Sequence, residues 1–182
     1  MNVAGFYSDP HFGHKNIIEF SKRPFKDQFH MEEEFVQRYN RVIGKNDLVV
    51  WVGDCFFYHT DAEARLLLDQ MNGYKVLVMG NHDVKNGKGF MARAGFDAVI
   101  EKEMFLQIGD RMCRVCHYPY WNHGKDDRYS DRRPPKMKGE VLIHGHTHST
   151  QRRDGNSIHV GVDAWSYEPA LMHEVAKLVG EI

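Results

Sequence analysis

Six short apolar runs recur along the chain, and they limit its fold more than any other feature. They are VAGFYS near residue 5, DLVVWVG near residue 50, KVLVMG near residue 77, RMCRVCH near residue 114, EVLIHG near residue 142 and SIHVGVD near residue 160. Apolar runs of this length are typical of buried strands. The chain is therefore expected to build its core around sheets.

Helical patterns lie between the first three runs. MEEEFVQRYNRVI places apolar residues three or four positions apart behind an acidic first turn, and DAEARLLLDQMN repeats this pattern with Gly73 as its expected end. From about residue 97 the chain is rich in strands, and its one clear helical pattern is EPALMHEVAKLV, in which Pro169 suits the first helical position. This order predicts a mixed α/β fold with two sheets packed together and helices outside.

Length and charge limit the class of protein. A chain of 182 residues is expected to form one domain, which spans residues 1–182. The 24 basic and 25 acidic residues give a net charge of -1 with histidine neutral, which provides no global field for nucleic acid or an anionic membrane. The apolar runs are shorter than the roughly 20 residues of a membrane span, and the N-terminus lacks a basic stretch followed by an apolar one. We therefore expect a cytoplasmic protein without a membrane partner.

The three cysteines are expected to be reduced thiols, because an odd number cannot pair completely. Cys113, Cys116 and His117 match the C-x-x-C-H pattern of c-type haem attachment. A strand through RMCRVCH would point the two thiols to opposite faces, which disfavours a haem site.

Residues that bind metals or transfer protons follow most of the predicted strands. They are Asp9 and His11 after the first run, Asp54 after the second, Asn81, His82 and Asp83 after the third, His117 after RMCRV, and His146 and His148 after EVLI. Each motif alone is weak, because a single histidine or a Gly-Asp pair is common at strand ends. Ligands in α/β proteins gather at the carboxyl ends of strands, so the convergence of five segments favours one metal site.

The ordered set Asp9-Pro10-His11, Gly53-Asp54, Gly80-Asn81-His82-Asp83, His117 and Gly145-His146-Thr147-His148 resembles the calcineurin-like metallophosphoesterase family. Within that family the chain is most similar to small single-domain bacterial and phage phosphoesterases whose first motif reads like SDPHFGHKNII. The resemblance covers residues 8 to 148. It implies a four-layer α/β/β/α sandwich of two mixed sheets flanked by helices, in agreement with the order of strands and helices.

The resemblance also implies a role for each motif residue. Asp9, His11 and His148 would hold one metal ion, Asn81, His117 and His146 would hold a second, and the carboxylate of Asp54 would bridge the two. His82 would stay free of metal beside the substrate, and Asp83 would orient it. A hydroxide that bridges the ions would attack a phosphate ester. Imidazole, carboxylate and amide ligands without thiolate favour Mn²⁺ or Fe²⁺, with Zn²⁺ and Ni²⁺ as alternatives.

Other residues are candidates for the substrate site. His14 and Lys15 follow the first motif and fit either a substrate contact or a solvated helix start, and Arg128 would bind a phosphate if its loop folds over the site. Arg128 lies in a polar segment, residues 122–140, which fits either a substrate lid or a solvated surface loop. Asp163 fits either the wall of the pocket or a turn, and His144 fits either a support for a ligand or a buried strand residue.

The function that these patterns favour is metal-dependent hydrolysis of a phosphodiester, for example in a nucleotide, a cyclic nucleotide or a nucleic-acid end. Without an added domain to cap it, the site is expected to be an open cleft that admits a diester. A phosphomonoesterase acting on a small metabolite is the alternative, and a non-catalytic metal-binding scaffold or a hydrolase of another ester is disfavoured by the complete motif set. Composition leaves the oligomeric state open.

Overall fold

The computed structural model describes residues 2–120 and 129–182. The strands are β1 (Val3–Tyr7), β2 (Leu48–Trp51), β3 (Tyr74–Val78), β4 (Ala98–Ile100), β5 (Glu103–Ile108), β6 (Arg111–Cys116), β7 (Val141–His144), β8 (Arg153–Asp154), β9 (Ser157–His159) and β10 (Ala170–Leu171). The α-helices of the described residues are α1 (Ile17–Phe20), α2 (Gln28–Val42), α3 (Asp61–Leu68), α4 (Asn81–Asn86), α5 (Lys88–Ala94) and α6 (Met172–Gly180). None of these helices combines the length and the apolar character needed to cross a bilayer.

The strands form two five-stranded sheets, each with parallel and antiparallel pairs. In the first sheet the order is β10-β1-β2-β3-β4, and β1 to β4 are parallel while β10 is antiparallel to β1. In the second sheet the order is β5-β6-β7-β9-β8, with β6, β7 and β9 parallel. Parallel neighbours end at the same edge of a sheet, so the segments that follow them lie close together. The predicted α/β class, with two mixed sheets and flanking helices, is confirmed.

Two apolar clusters hold the sandwich together. One packs α2, α3 and α5 against the outer face of the first sheet, around Phe35, Trp51 and Leu68. The other lies between the two sheets and includes Val50 and Ile143, together with side chains from α6. Fully burying an apolar side chain of this size contributes roughly 1.5 to 3 kcal/mol. Packing in these two clusters therefore fixes the positions of the strand ends.

The two cysteines of RMCRVCH point to different sides of β6, as predicted. Cys113 lies in the cluster between the sheets, whereas Cys116 packs with Tyr118, Tyr120 and Leu142 in a separate aromatic cluster. All three cysteines are free and buried. This divergence is the expected result of strand alternation.

The structure differs from the sequence prediction in several of its helices. Pro169 does not begin the last helix, because the next two residues form β10 and pair with Gly5 and Phe6 of β1, so that α6 begins at Met172. Helix α3 ends at Leu68, earlier than Gly73 suggests. The motif Gly80-Asn81-His82-Asp83 opens helix α4, which the apolar pattern does not show because it has only six residues.

Candidate metal centre

The seven predicted ligand residues meet at the carboxyl ends of five strands. Asp9 and His11 follow β1, Asp54 follows β2, Asn81 follows β3, His117 follows β6, and His146 and His148 follow β7. The two sheets contribute together because their ends open on the same side of the sandwich. Two sets of ligand atoms result, each with its atoms within 4.8 Å of one another. We call Asp9, His11 and His148 the first group, and Asp54, His117 and His146 the second group.

Five of the ligand residues have a left-handed backbone conformation. The φ angles of Asp9, His11, Asp54, His146 and His148 lie between 51° and 72°. Non-glycine residues rarely adopt this conformation, and each costs about 1 to 3 kcal/mol when the surroundings impose it. A fully extended chain would place His146 and His148 on one face. The turned backbone instead sends His148 to the first group and His146 to the second.

The first group presents an unsatisfied buried nitrogen. His11 Nε2 is buried and has no hydrogen-bond partner among the described residues, although it lies 3.7 Å from Oδ2 of Asp54. Burial lowers the pKa of His11 well below its ordinary value, so the ring is neutral and offers a lone pair. Asp9 is fixed beside it, because its Oδ1 and Oδ2 both lie 3.0 Å from the backbone N–H of His146. A divalent cation fits this set of donors.

The second group converges on His117. Its Nδ1 lies 2.7 Å from the carbonyl oxygen of Val52, which makes Nδ1 the donor and directs Nε2 into the site. Around Nε2 lie Oδ2 of Asp54 at 3.3 Å, Oδ1 of Asn81 at 3.2 Å and Nδ1 of His146 at 3.1 Å. Burial opposes the charged ring, but the Asp54 carboxylate outweighs it and raises the pKa of His117 to about 10. Several acceptor atoms around one positive charge are what a cation site requires.

Asp54 lies between the two groups. The same oxygen, Oδ2, is 3.7 Å from His11 Nε2 and 3.3 Å from His117 Nε2. Its other oxygen accepts the backbone N–H of His82 at 2.9 Å. Burial would raise the pKa of Asp54, but the neighbouring His117 imidazole holds it well below the usual range, so the carboxylate is ionised. This geometry suits a ligand shared by two cations.

His82 and Asp83 follow Asn81 at the start of α4 but point in different directions. His82 Nε2 lies 3.8 Å from Oδ2 of Asp54, and its side chain is 25% exposed, so a substrate can reach the ring. Asp83 is fully buried, and its carboxylate accepts the backbone N–H groups of Asp54, Cys55 and Gly80 at 2.8 to 2.9 Å. The prediction that Asp83 orients the His82 ring therefore differs from the structure. Asp83 instead fixes the turns after β2 and β3.

Comparison with known proteins identifies the family. The sequence model of the calcineurin-like phosphoesterase superfamily domain matches residues 1–162. The chain belongs to this superfamily. An uncharacterized protein of Methanocaldococcus jannaschii is 30% identical over 191 aligned positions, which cover 98% of this chain and 93% of that protein. The gene 66 protein of Mycobacterium phage L5 is 29% identical over 188 positions, which cover 91% of this chain and 88% of that protein.

A solved structure shares the fold of this chain. The crystal structure of a protein of unknown function from Aquifex aeolicus superposes with a TM-score of 0.77 at 25% sequence identity. The alignment covers 97% of this chain and all of that protein, so the similarity extends over both sheets. The family resemblance seen in the motifs is confirmed.

The residues predicted to contact substrate lie in different surroundings. His14 lies beside the site, since its ring stacks on Phe57 with centroids 4.0 Å apart and its Nδ1 is 3.4 Å from His11 Nδ1. Lys15 is exposed on the next position of the chain. Arg128 lies outside the described residues, so its phosphate contact stays a prediction.

The described part of the 122–140 segment reaches the second group. The ring of Tyr129 lies 5.6 Å from that of His146, and both rings pack near Tyr118. Arg133 donates to the carbonyl oxygen of Pro119 at 2.8 Å. This part of the segment therefore borders the metal centre.

The structure shows the contacts of His144 and Asp163, two residues whose roles the sequence left open. His144 is buried, its Nδ1 lies 2.8 Å from the carbonyl oxygen of Gly145, and its ring packs against His159 at 5.4 Å. It is a buried strand residue rather than a contact of the ligand rings. Asp163 lies in a short 3-10 turn after β9, and its Oδ2 is 2.9 Å from Nδ1 of His148.

Gly145 allows the segments that follow β1 and β7 to approach each other closely. A larger residue at this position is therefore expected to disturb the site. A Cβ atom on residue 145 would overlap Ser8 Oγ and Asp9 Oδ2. We expect Gly145→Ala to lower the free energy of unfolding by about 1 to 3 kcal/mol, as overpacking does, and to weaken metal binding at the first group. Urea unfolding and metal titration measure the two effects.

Gly180→Ala is the matched control, because no heavy atom lies within 4 Å of the added Cβ and the residue ends helix α6. Its free energy of unfolding is expected to stay the same or rise. Equal stability and metal binding in Gly145→Ala and the unmodified protein would show that the close approach at Gly145 is not required.

Proposed function

We propose that this calcineurin-like phosphoesterase hydrolyses phosphodiester bonds with two divalent metal ions. One observation carries the proposal: a single oxygen of Asp54 faces both ligand groups, at 3.7 Å from His11 Nε2 and 3.3 Å from His117 Nε2. A shared carboxylate between two sets of imidazoles suits a pair of ions about 3.5 to 4 Å apart. Asp9, His11 and His148 would hold one ion, and Asn81, His117 and His146 would hold the other.

A pair of bound ions supplies positive charge for the phosphoryl oxygens and lowers the pKa of water toward about 7. The donor set supports Mn²⁺ or Fe²⁺, because it combines imidazole, carboxylate and amide oxygen without a thiolate. Zn²⁺ and Ni²⁺ compete for the same nitrogen and oxygen atoms. The occupant therefore depends on the metals available to the protein.

The chain itself keeps the ligands in place before substrate arrives. The Val52 carbonyl fixes the His117 ring, and the Asp83 carboxylate fixes the turns that carry Asp54 and Asn81. Such supporting bonds raise metal affinity and fix which nitrogen faces the ion. Asp54, one of the left-handed residues, is held by the Asp83 contact, so its turn is in place before a metal binds.

The position of His82 supports a role toward the substrate rather than toward a metal. Its Nε2 is 3.8 Å from the shared oxygen of Asp54, and the ring packs on Phe57 at 4.1 Å between centroids. Burial lowers the pKa of His82 in the free protein, and a bound phosphate, being negative, acts in the opposite direction. A protonated His82 would donate to a phosphoryl oxygen or to the leaving group, a contribution of about 10² to 10⁴ in rate.

Aromatic side chains beside His82 support a substrate with an organic ester group. Phe57 packs on both His14 and His82, and the next residue, Tyr58, is 90% exposed. Tyr58 also has a φ of 55°, a conformation that is costly for a tyrosine and is held beside the site. An exposed ring there can stack on a nucleobase. We therefore favour a nucleotide, a cyclic nucleotide or a nucleic-acid end over a small phosphorylated metabolite.

A substrate screen of the metal-loaded protein tests the proposed function. Protein prepared with Mn²⁺ would be assayed with bis-aryl and mono-aryl phosphates, 2′,3′-cyclic and 3′,5′-cyclic nucleotides and short oligonucleotides. We expect hydrolysis of diesters that disappears in excess EDTA and returns with Mn²⁺. Activity on the mono-aryl phosphate alone would support the phosphomonoesterase alternative, and no hydrolysis by protein shown to hold two ions would exclude an esterase.

Tyr58→Ala tests the proposed stacking contact. We expect kcat/KM for a nucleotide diester to fall by about 5- to 150-fold, because one base on an aromatic ring contributes about 1 to 3 kcal/mol. The value for a dialkyl phosphate, which has no ring to stack, is expected to stay unchanged. Phe29→Ala is the control, since Phe29 is 72% exposed on α2 and has no ring contact with the site among the described residues. Equal losses for both substrates would contradict stacking at Tyr58.

A further inference from the structure

Arg23 and Asp163 form a buried ion pair behind the first group. Arg23 Nε donates to Oδ1 of Asp163 and Nη2 donates to Oδ2, both at 2.9 Å. The side chains are 0% and 4% exposed. A buried pair of this kind persists when the remaining donors and acceptors are also satisfied, so the other partners of both residues identify its role.

Asp163 fixes the ring of His148. The Oδ2 atom that accepts from Arg23 is also 2.9 Å from Nδ1 of His148. An ionised carboxylate only accepts hydrogen bonds, so Nδ1 carries the proton and the lone pair is on Nε2. Carboxylates that bind the outer nitrogen of a metal-binding histidine fix its tautomer and orientation in this way.

Arg23 also holds the turn that carries the other two members of the first group. Nη2 donates to the carbonyl oxygen of Asp9 at 2.8 Å, and Nη1 donates to that of Pro10 at 2.9 Å. The fifth donor points to Sδ of Met31 at 3.5 Å, so every N–H of the guanidinium has an acceptor. Asp9 and His11 both have left-handed φ angles, and such residues persist only where contacts restrain them.

We propose that Arg23 and Asp163 are a positioning pair that sets the affinity and the geometry of the first metal position. One guanidinium restrains the Asp9–Pro10 turn directly and His148 through Asp163. The pair touches none of the second group among the described contacts, where the Val52 carbonyl and Asp83 have the corresponding role. The inference rests on the proposed function only in that two ions bind. A change to Arg23 or Asp163 is therefore expected to weaken metal binding at the first position and to leave the second position unchanged.

Metal titration of two variants tests the pair. Asp163→Asn replaces the carboxylate that accepts hydrogen bonds from His148 and Arg23 with a neutral amide of nearly the same volume. In Arg23→Lys the charge remains, but the planar fork that reaches Asp163 and the carbonyl oxygens of Asp9 and Pro10 together is lost. Starting from metal-free protein and adding Mn²⁺, we expect one ion to bind as in the unmodified protein and the other to bind about 10- to 100-fold more weakly in each variant.

Arg38→Gln is the matched control. Arg38 likewise donates through Nε and Nη2 to a carboxylate, Glu34, and through Nη1 to a backbone carbonyl, that of Ser166, but it contacts neither ligand group. We expect it to bind two ions normally. Urea unfolding of the metal-free variants separates positioning from stability, because a purely structural role would weaken both ions in proportion to the loss of folding free energy.

The tautomer of His148 can be measured in the unmodified protein, so this part of the test does not depend on whether the variants fold. Histidine ¹⁵N NMR of the metal-free protein should show the His148 proton on Nδ1. A proton on Nε2, or normal binding of both ions by folded Asp163→Asn and Arg23→Lys, would overturn the positioning role. If the unmodified protein itself bound no ions, the proposed function would fail instead, so the two failures are distinguishable.

Discussion

Replacing Asp54 with asparagine is expected to remove both metal ions from the protein. The Oδ2 atom faces His11 and His117 at once, so its loss takes a negative ligand from both positions. The amide that replaces it has the same shape but is neutral, and its NH₂ group presents positive hydrogens to a cation. Changes around a metal ligand typically cost 10- to 100-fold in affinity, and we expect more than about 100-fold at each position here.

The measurement is metal content after gel filtration in Mn²⁺-free buffer, followed by titration. Hydrolysis of a diester is expected to fall to the background of metal-free protein. Asp97→Asn is the control, because the Asp97 carboxylate also accepts a backbone N–H, that of Lys75, but lies outside the metal centre. An Asp54→Asn protein that kept two ions would show that the carboxylate does not join the two positions.

His82→Ala is expected to separate metal binding from turnover. His82 belongs to neither ligand group, so the variant should still hold two ions. Its ring is partly exposed and lies 3.8 Å from Asp54, where the phosphoryl group is expected, so kcat should fall by about 10² to 10⁴. The ion content and kcat of the same preparation measure both outcomes.

His173→Ala provides the control for a lost imidazole, since His173 is exposed on α6. Its activity should match that of the unmodified protein. Full activity of His82→Ala with two ions bound would remove His82 from the mechanism, and loss of one ion would show that His82 is itself a ligand.

The strands and the meeting of the motifs were predictable because both depend on local patterns. The six apolar runs correspond to β1, β2, β3, β6, β7 and β9. Within each sheet these strands are parallel, so the residues that follow them share one edge: Asp9, Asp54 and Asn81 in the first sheet, and His117 and His146 in the second. The short strand β10 was missed because it pairs with β1 through backbone hydrogen bonds, which leave little trace in a two-residue sequence.

The supporting contacts were not predictable, because they depend on tertiary structure. Arg23 belongs to no motif in the sequence, and its partner Asp163 lies 140 residues further along the chain. The family resemblance implied that Asp83 orients His82, but Asp83 is buried and accepts backbone N–H groups, whereas His82 is partly exposed. The left-handed angles of His146 and His148 are uncommon for any residue with a side chain, and the sequence HGHTH does not indicate them.

Diffraction from crystals soaked in Mn²⁺, measured where manganese scatters anomalously, tests the two-ion centre most directly. The account predicts two anomalous peaks about 3.5 to 4 Å apart. One should lie among Asp9, His11 and His148, the other among Asn81, His117 and His146, with Oδ2 of Asp54 between them. A single peak, or peaks that Asp54 does not touch, would contradict the shared-carboxylate site on which the proposed phosphodiesterase depends.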